Sequence, residues 1–235
     1  MTEEMRNYIL NLPKIQEIIE KYKPFLIYLG GSRATDCNRE DSDWDIIVYT
    51  DEVKVTVFDN VYIPNNKNLH MHTLIYNPTF ILKNILYSLD SCWNIYMYIG
   101  FATDCIATMQ IIYEKPDDPL IHFLLDNHIQ ICKYGVYELL NTLQDETRVA
   151  LLETKLSLSR KVYYHMLLAY DVLTNSNSKA LIRKIRQNYS TVTEEEMTEL
   201  RYKIQYIKDF YDNLDDAEFD DLRFQARCLL DAYNN

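Results

Sequence analysis

The sequence predicts an α+β protein, a small mixed sheet followed by an all-helical C-terminal domain. Three observations carry this expectation. Four short apolar runs rich in β-branched and aromatic residues fall between residues 24 and 76. Beyond residue 117 the apolar residues recur at helical spacing. Between these regions, EKPDDP (114–119) is a polar, proline-bearing break. The expected organisation is therefore a sheet-bearing unit over 1–115 and a helical unit over 116–235.

The elements follow in order. Residues 3–22 have the apolar spacing of a helix, interrupted by Pro13, which cannot donate to the helical ladder. PFLIYLGG (24–31) reads as a buried strand ending in a glycine turn, and DIIVYT (45–50) as a second buried strand. KVTVFDNVYI (54–63) and LHMHTLIY (69–76) read as the third and fourth, separated by the turn PNNKN. Asn77 followed by Pro78 marks a helix start. Helices are then expected over roughly 117–144, 147–174, 178–188, 193–213 and 216–233, with a capping box formed by Thr193 and Glu196.

Composition narrows the function classes. The chain has 235 residues, and its net charge of −11 opposes a long polyanion. That argues against a processive polymerase and against extended duplex DNA as a partner. A nucleotide, a small molecule, a protein or a nucleic-acid end remains compatible. Five scattered cysteines without a CxxC pair argue against a disulfide framework or a zinc site and point to a reducing cytoplasm. No apolar run is long enough to span a bilayer, and the N-terminus lacks the basic-then-apolar order of a signal peptide.

The chemistry concentrates in LIYLGGSRATDCNREDSDWDIIVY (26–49), where two of only four glycines are adjacent. A glycine pair after a strand permits positive φ and close approach of backbone to a ligand. Gly31, Ser32 and Arg33 together offer backbone N–H groups, a hydroxyl and a cation to phosphates. Asp43 and Asp45, two residues apart at a strand entry, point to one face while Trp44 points to the other. Two close carboxylates repel unless a cation or proton lies between them, and Mg²⁺ bound there leaves positions for phosphate oxygens.

The order GGS (30–32) then DWD (43–45) resembles the signature of the nucleotidyltransferase superfamily that includes DNA polymerase β. The longer run GSRA…DSDWDI is similar to a bacterial and phage branch, some members of which are associated with RNA repair. The resemblance implies a palm-like sheet, with Asp43 and Asp45 catalytic and metal-binding, and Gly31, Ser32 and Arg33 binding nucleotide. SRKVYYHMLLAYDVL (159–173) is similar to a family helix with Lys and His four residues apart. By that likeness Lys161 neutralises phosphate charge and His165 assists it from the helical domain.

One departure stands out. The superfamily's third carboxylate would fall on LHMHTLIY, which has no Asp or Glu. His72 is the preferred occupant, with His70 and Asp59 as alternatives. A histidine there suits Mn²⁺ better than Mg²⁺, or acts as a neutral base. RKIRQ (183–187), with Arg183, Lys184 and Arg186, reads as a solvated helix face or a contact to a nucleic-acid end.

The resemblance implies a cytoplasmic enzyme that uses Mg²⁺ or Mn²⁺. It would transfer a nucleoside monophosphate from a nucleoside triphosphate such as ATP to an acceptor hydroxyl, releasing pyrophosphate. The acceptor is an RNA 3′ end, a small molecule or a protein. The missing carboxylate supports a second reading, a nucleotide-binding or protein-interaction module without turnover.

Overall fold

The computed structural model describes residues 1–40, 42–53, 57–62, 70–87, 108–143 and 158–234. The chain opens with α1 (Glu3–Leu10) and α2 (Pro13–Tyr22). Pro13 sits in the first turn of α2, where its missing N–H costs nothing, so the expected interruption divides one amphipathic segment into two helices. The four strands read from the sequence are present as β1 (Leu26–Gly30), β2 (Trp44–Tyr49), β3 (Val57–Tyr62) and β4 (His70–Tyr76). A four-residue helix, α3 (Gly31–Ala34), leaves the end of β1.

A further strand, β5 (Gln110–Glu114), was not expected and pairs antiparallel with β1. Its signal, Ile111, Ile112 and Tyr113 just before Lys115 and Pro116, is a short β-branched and aromatic run. Among the described residues the sheet order is β3-β4-β2-β1-β5, with β2 and β4 parallel and the other neighbours antiparallel.

Alternation divides the sheet into two faces. Ile27, Leu29, Ile46, Val48 and Ile75 pack against α1 and α2. Leu26, Tyr28, Ile47, Tyr49 and Tyr76 face the other way, onto helices that follow β4 in the chain. Those are α4 (Thr79–Leu86), α5 (Pro119–Asp126), α6 (His128–Leu143) and α10 (Asp220–Asn234). One apolar cluster therefore includes strand residues and Phe219, Leu222, Ala226 and Leu230 from the far end of the sequence.

The remaining helices are α7 (Leu158–Thr174), α8 (Lys179–Asn188) and α9 (Glu194–Asp212). The expected helix over 117–144 is two helices, because the chain leaves helical geometry at Asn127. The start of the helix expected over 147–174 lies outside the described residues up to Leu158. Asn77 accepts the Thr79 N–H at 3.0 Å, and Thr193 with Glu196 forms the capping box at α9. No helix among the described residues is long and apolar enough to cross a membrane.

Candidate active site

The site lies at the end of the sheet where β1 finishes and β2 begins. Gly30 pairs with Asp45, and on the other side of β2 Asp45 pairs with His72. Residues paired across strands share a face, so Asp45 and His72 point together toward the helical side of the sheet. His72 Nδ1 is 3.6 Å from Asp43 Oδ2 and 4.0 Å from Asp45 Oδ1. The two carboxylates thus meet at one imidazole, as their two-residue spacing predicted. All three side chains remain partly open to solvent.

Gly31 makes this geometry possible. Its φ of +64° is a conformation that side chains disfavour, and a Cβ there would overlap the Asp45 carboxylate, lying 2.8 Å from its Cγ. Ser32 is buried beside it. The following turn folds back on the glycine-serine pair. Cys37 N–H donates to Ser32 O at 2.8 Å, and the Thr35 hydroxyl donates to the same oxygen at 3.1 Å. Gln110 on β5 holds the end of α3 by donating to Ala34 O, a positioning contact that the sequence did not reveal.

Arg33 ties the loop before β2 to the turn after β1. Its Nε donates to Ser42 O at 3.0 Å and Asp43 O at 3.2 Å. Its Nη2 donates to Ser42 O at 2.5 Å and Glu40 O at 3.3 Å. The guanidinium also stacks over Trp44, 4.9 Å from the ring centroid. These donors hold the loop that delivers Asp43 into the site, a positioning contact that the sequence did not reveal. The loop's reversal leaves carbonyls without ladder partners, and a planar fork of donors satisfies several at once.

Burial pushes the Asp45 carboxyl up to about 6, and the neighbouring Asp43 charge adds to the effect. His72, Arg186 and Arg33 pull the other way, in that order. Burial lowers the Arg33 pKa, while Asp43 and Asp45 oppose that shift. The cost of ionised Asp45 is the kind that a bound divalent cation removes.

Among the described residues no group of three or more His, Cys, Asp or Glu forms a metal cage. What is present is a carboxylate pair with an imidazole beside it. That donor set fits a hard divalent ion held by Asp43 and Asp45 with positions left for phosphate oxygens.

The other expected residues are carried by β3, β4 and α7. Asp59 on β3 pairs with Thr73, and its side chain lies outside the described residues. His70 begins β4 opposite Tyr62, and its side chain lies outside the described residues. Lys161 is in α7, with its side chain also outside the described residues. His165 is buried on α7, its ring edge-on to Tyr164 at 5.1 Å. The basic segment lies in α8, within the helix expected over 178–188, and α8 packs against this region through Leu181, Ile182 and Ile185 in a cluster with Cys37 and Tyr164.

Residues 13–118 match the family described as polymerase beta, nucleotidyltransferase, which covers every strand and the carboxylate pair. No curated protein matches the chain.

Proposed function

Through residues 13–118 this chain belongs to the polymerase beta nucleotidyltransferase superfamily, and we propose that it transfers a nucleoside monophosphate from a nucleoside triphosphate to an acceptor hydroxyl. The observation that carries this reading is the approach of Asp43 and Asp45 to His72, beside a glycine that leaves room for Asp45.

In this reading the acceptor oxygen forms a bond to the α-phosphorus. The bond from that phosphorus to the bridging oxygen breaks, and pyrophosphate leaves with the bonding electrons. Asp43 and Asp45 would hold a divalent ion, which would neutralise phosphate charge and make the attacking hydroxyl more acidic, and the hydroxyl's proton passes to solvent. Gly31 and Ser32 receive the outer phosphates through the backbone N–H and hydroxyl. By the family resemblance, Lys161 would neutralise phosphate charge from the helical part. Arg33 fixes the 40–43 loop so that Asp43 stays within reach of Asp45. His72 completes the site as a nitrogen donor, which favours Mn²⁺ over Mg²⁺. The acceptor is an RNA 3′ end, a small molecule or a protein. The net charge of −11 favours the latter two over a long nucleic acid.

The experiment is transfer from each α-³²P-labelled nucleoside triphosphate, with Mg²⁺ or Mn²⁺, to total RNA, a metabolite extract or protein. Label should move in the wild type and stay in the triphosphate with Asp43→Asn/Asp45→Asn. A second reading, binding without turnover, draws on the histidine where a carboxylate is expected. It predicts nucleotide binding with no label transfer to any acceptor.

A further inference from the structure

We propose that Arg186, presented by α8, takes an outer phosphate of the nucleoside triphosphate, making α8 the wall of the site that faces the phosphates. The inference rests on the reading of Asp43 and Asp45 as a nucleotide site and adds a residue which that reading did not contain.

The cations of α8 are not equivalent. Arg183 is pinned to the turn after α3, with Nη2 2.6 Å from Asp36 Oδ2 and Nε donating to Asp36 O at 2.7 Å. Lys184 is clamped by Glu196 at 2.6 Å. Arg186 makes no hydrogen bond or ion pair among the described residues. Its guanidinium lies over the buried ring of Tyr164, 4.9 Å from the centroid, a contact that holds the group in place without using its N–H donors.

The helix is held where an outer phosphate would need it. Leu181, Ile182 and Ile185 pack with Cys37 and Tyr164. Cys37 in turn donates its N–H to Ser32 O, in the turn that carries the glycine-serine pair. Arg186 is near enough to Asp45 for its charge to favour the ionised carboxylate. The site therefore presents two carboxylates and one oriented guanidinium together. A lone cation would satisfy the carboxylates and be repelled by the arginine. A lone phosphate would face the reverse conflict. A divalent cation chelated by a triphosphate satisfies both.

The phosphate could belong to the nucleotide or to the backbone of an RNA acceptor. The neighbouring cations favour the nucleotide. Arg183 and Lys184 are already neutralised by Asp36 and Glu196, so α8 offers only Arg186 and, at its first residue, Lys179, too few charges for a track along a strand.

The test measures calorimetric binding of an α,β-methylene nucleoside triphosphate, the matching nucleoside monophosphate and a short single-stranded RNA, each with Mn²⁺. The proteins are the wild type, Arg186→Met, Arg186→Lys and the solvent-side control Arg201→Ala. Methionine keeps apolar contact with Tyr164 and removes the charge. Arg186→Met should weaken the triphosphate roughly 10- to 100-fold, change the monophosphate far less, and keep its thermal midpoint within about 2 °C of wild type. Arg186→Lys should fall between them, and Arg201→Ala should match wild type. Triphosphate affinity unchanged in Arg186→Met overturns the assignment. Weakening confined to the RNA moves the contact to the acceptor and overturns it equally. If the wild type binds no nucleotide, the nucleotide-site reading itself fails.

Discussion

Asp45 and His72 occupy paired positions on the parallel strands β2 and β4, with Nδ1 of the imidazole 4.0 Å from Oδ1 of the carboxylate and 3.6 Å from Asp43 Oδ2. That relationship puts a neutral-capable nitrogen where a third acidic group would otherwise have to share a crowded negative site. It also determines how metal choice, pH and the neighbouring backbone should affect the protein.

His72 should set the metal preference. Nitrogen donors favour Mn²⁺ over Mg²⁺, so turnover should be greater with Mn²⁺ in the wild type. His72→Asp should reduce or abolish that preference by supplying an oxygen donor. Initial rates across a titration of each metal check this. Equal turnover of the wild type with both ions counts against the nitrogen-ligand role.

Asp45 should make the metal-free protein less stable as pH rises. Its carboxyl is pushed up to about 6 from an ordinary 3.8, chiefly by burial, so the folded chain holds this proton more tightly than the unfolded chain. Stability therefore falls as pH climbs from about 4 through about 6 and then levels off. Asp45→Asn removes the titration. In chelator-treated protein, the thermal midpoint of Asp45→Asn minus that of wild type should grow over this interval and stay constant above it. A pH-independent difference contradicts the assignment.

Gly31 should tolerate no side chain. Its φ is +64°, and a Cβ would collide with the Asp45 carboxylate. Gly31→Ala should cost about 1–3 kcal/mol in stability from the backbone conformation, and should also move Asp45. Denaturant unfolding gives the first effect, and transfer activity the second. A stable variant with normal turnover would show that Asp45 need not stay where it is.

Arg33 should act through the loop. Its hydrogen bonds to Ser42 O and Asp43 O hold the carboxylate that follows. Arg33→Ala should lose about 1–3 kcal/mol of stability, and Arg33→Lys should recover little of it, because an ammonium cannot span the same carbonyls. Triphosphate and monophosphate affinity should fall by similar factors. A selective loss of triphosphate affinity would instead restore the phosphate role expected from its place beside Ser32.

Much of this arrangement was legible in the sequence, for specific reasons. Strand alternation predicts that Asp43 and Asp45 share a face, and the distances to His72 agree. The distance to Asn77 favours His72 over His70, and His72 does lie beside both carboxylates. Two features were not legible. β5 pairs with a strand about 80 residues earlier, a non-local contact that a five-residue run cannot announce. The roles of the arginines were also hidden. A guanidinium next to a glycine-serine turn suggests phosphate, yet the backbone carbonyls of residues 40, 42 and 43 claim Arg33. Arg186 looked like a solvated charge because nothing local shows that α8 packs against Cys37.

The central claim is that Asp43 and Asp45 form a cation-dependent nucleotide site. Isothermal titration of an α,β-methylene nucleoside triphosphate into wild type and Asp43→Asn/Asp45→Asn, with Mg²⁺, with Mn²⁺ and with chelator, tests it most directly. The account predicts binding to the wild type only when a divalent ion is present, and loss of that binding in the double variant. Binding of equal strength under chelation, or in the double variant, would contradict it.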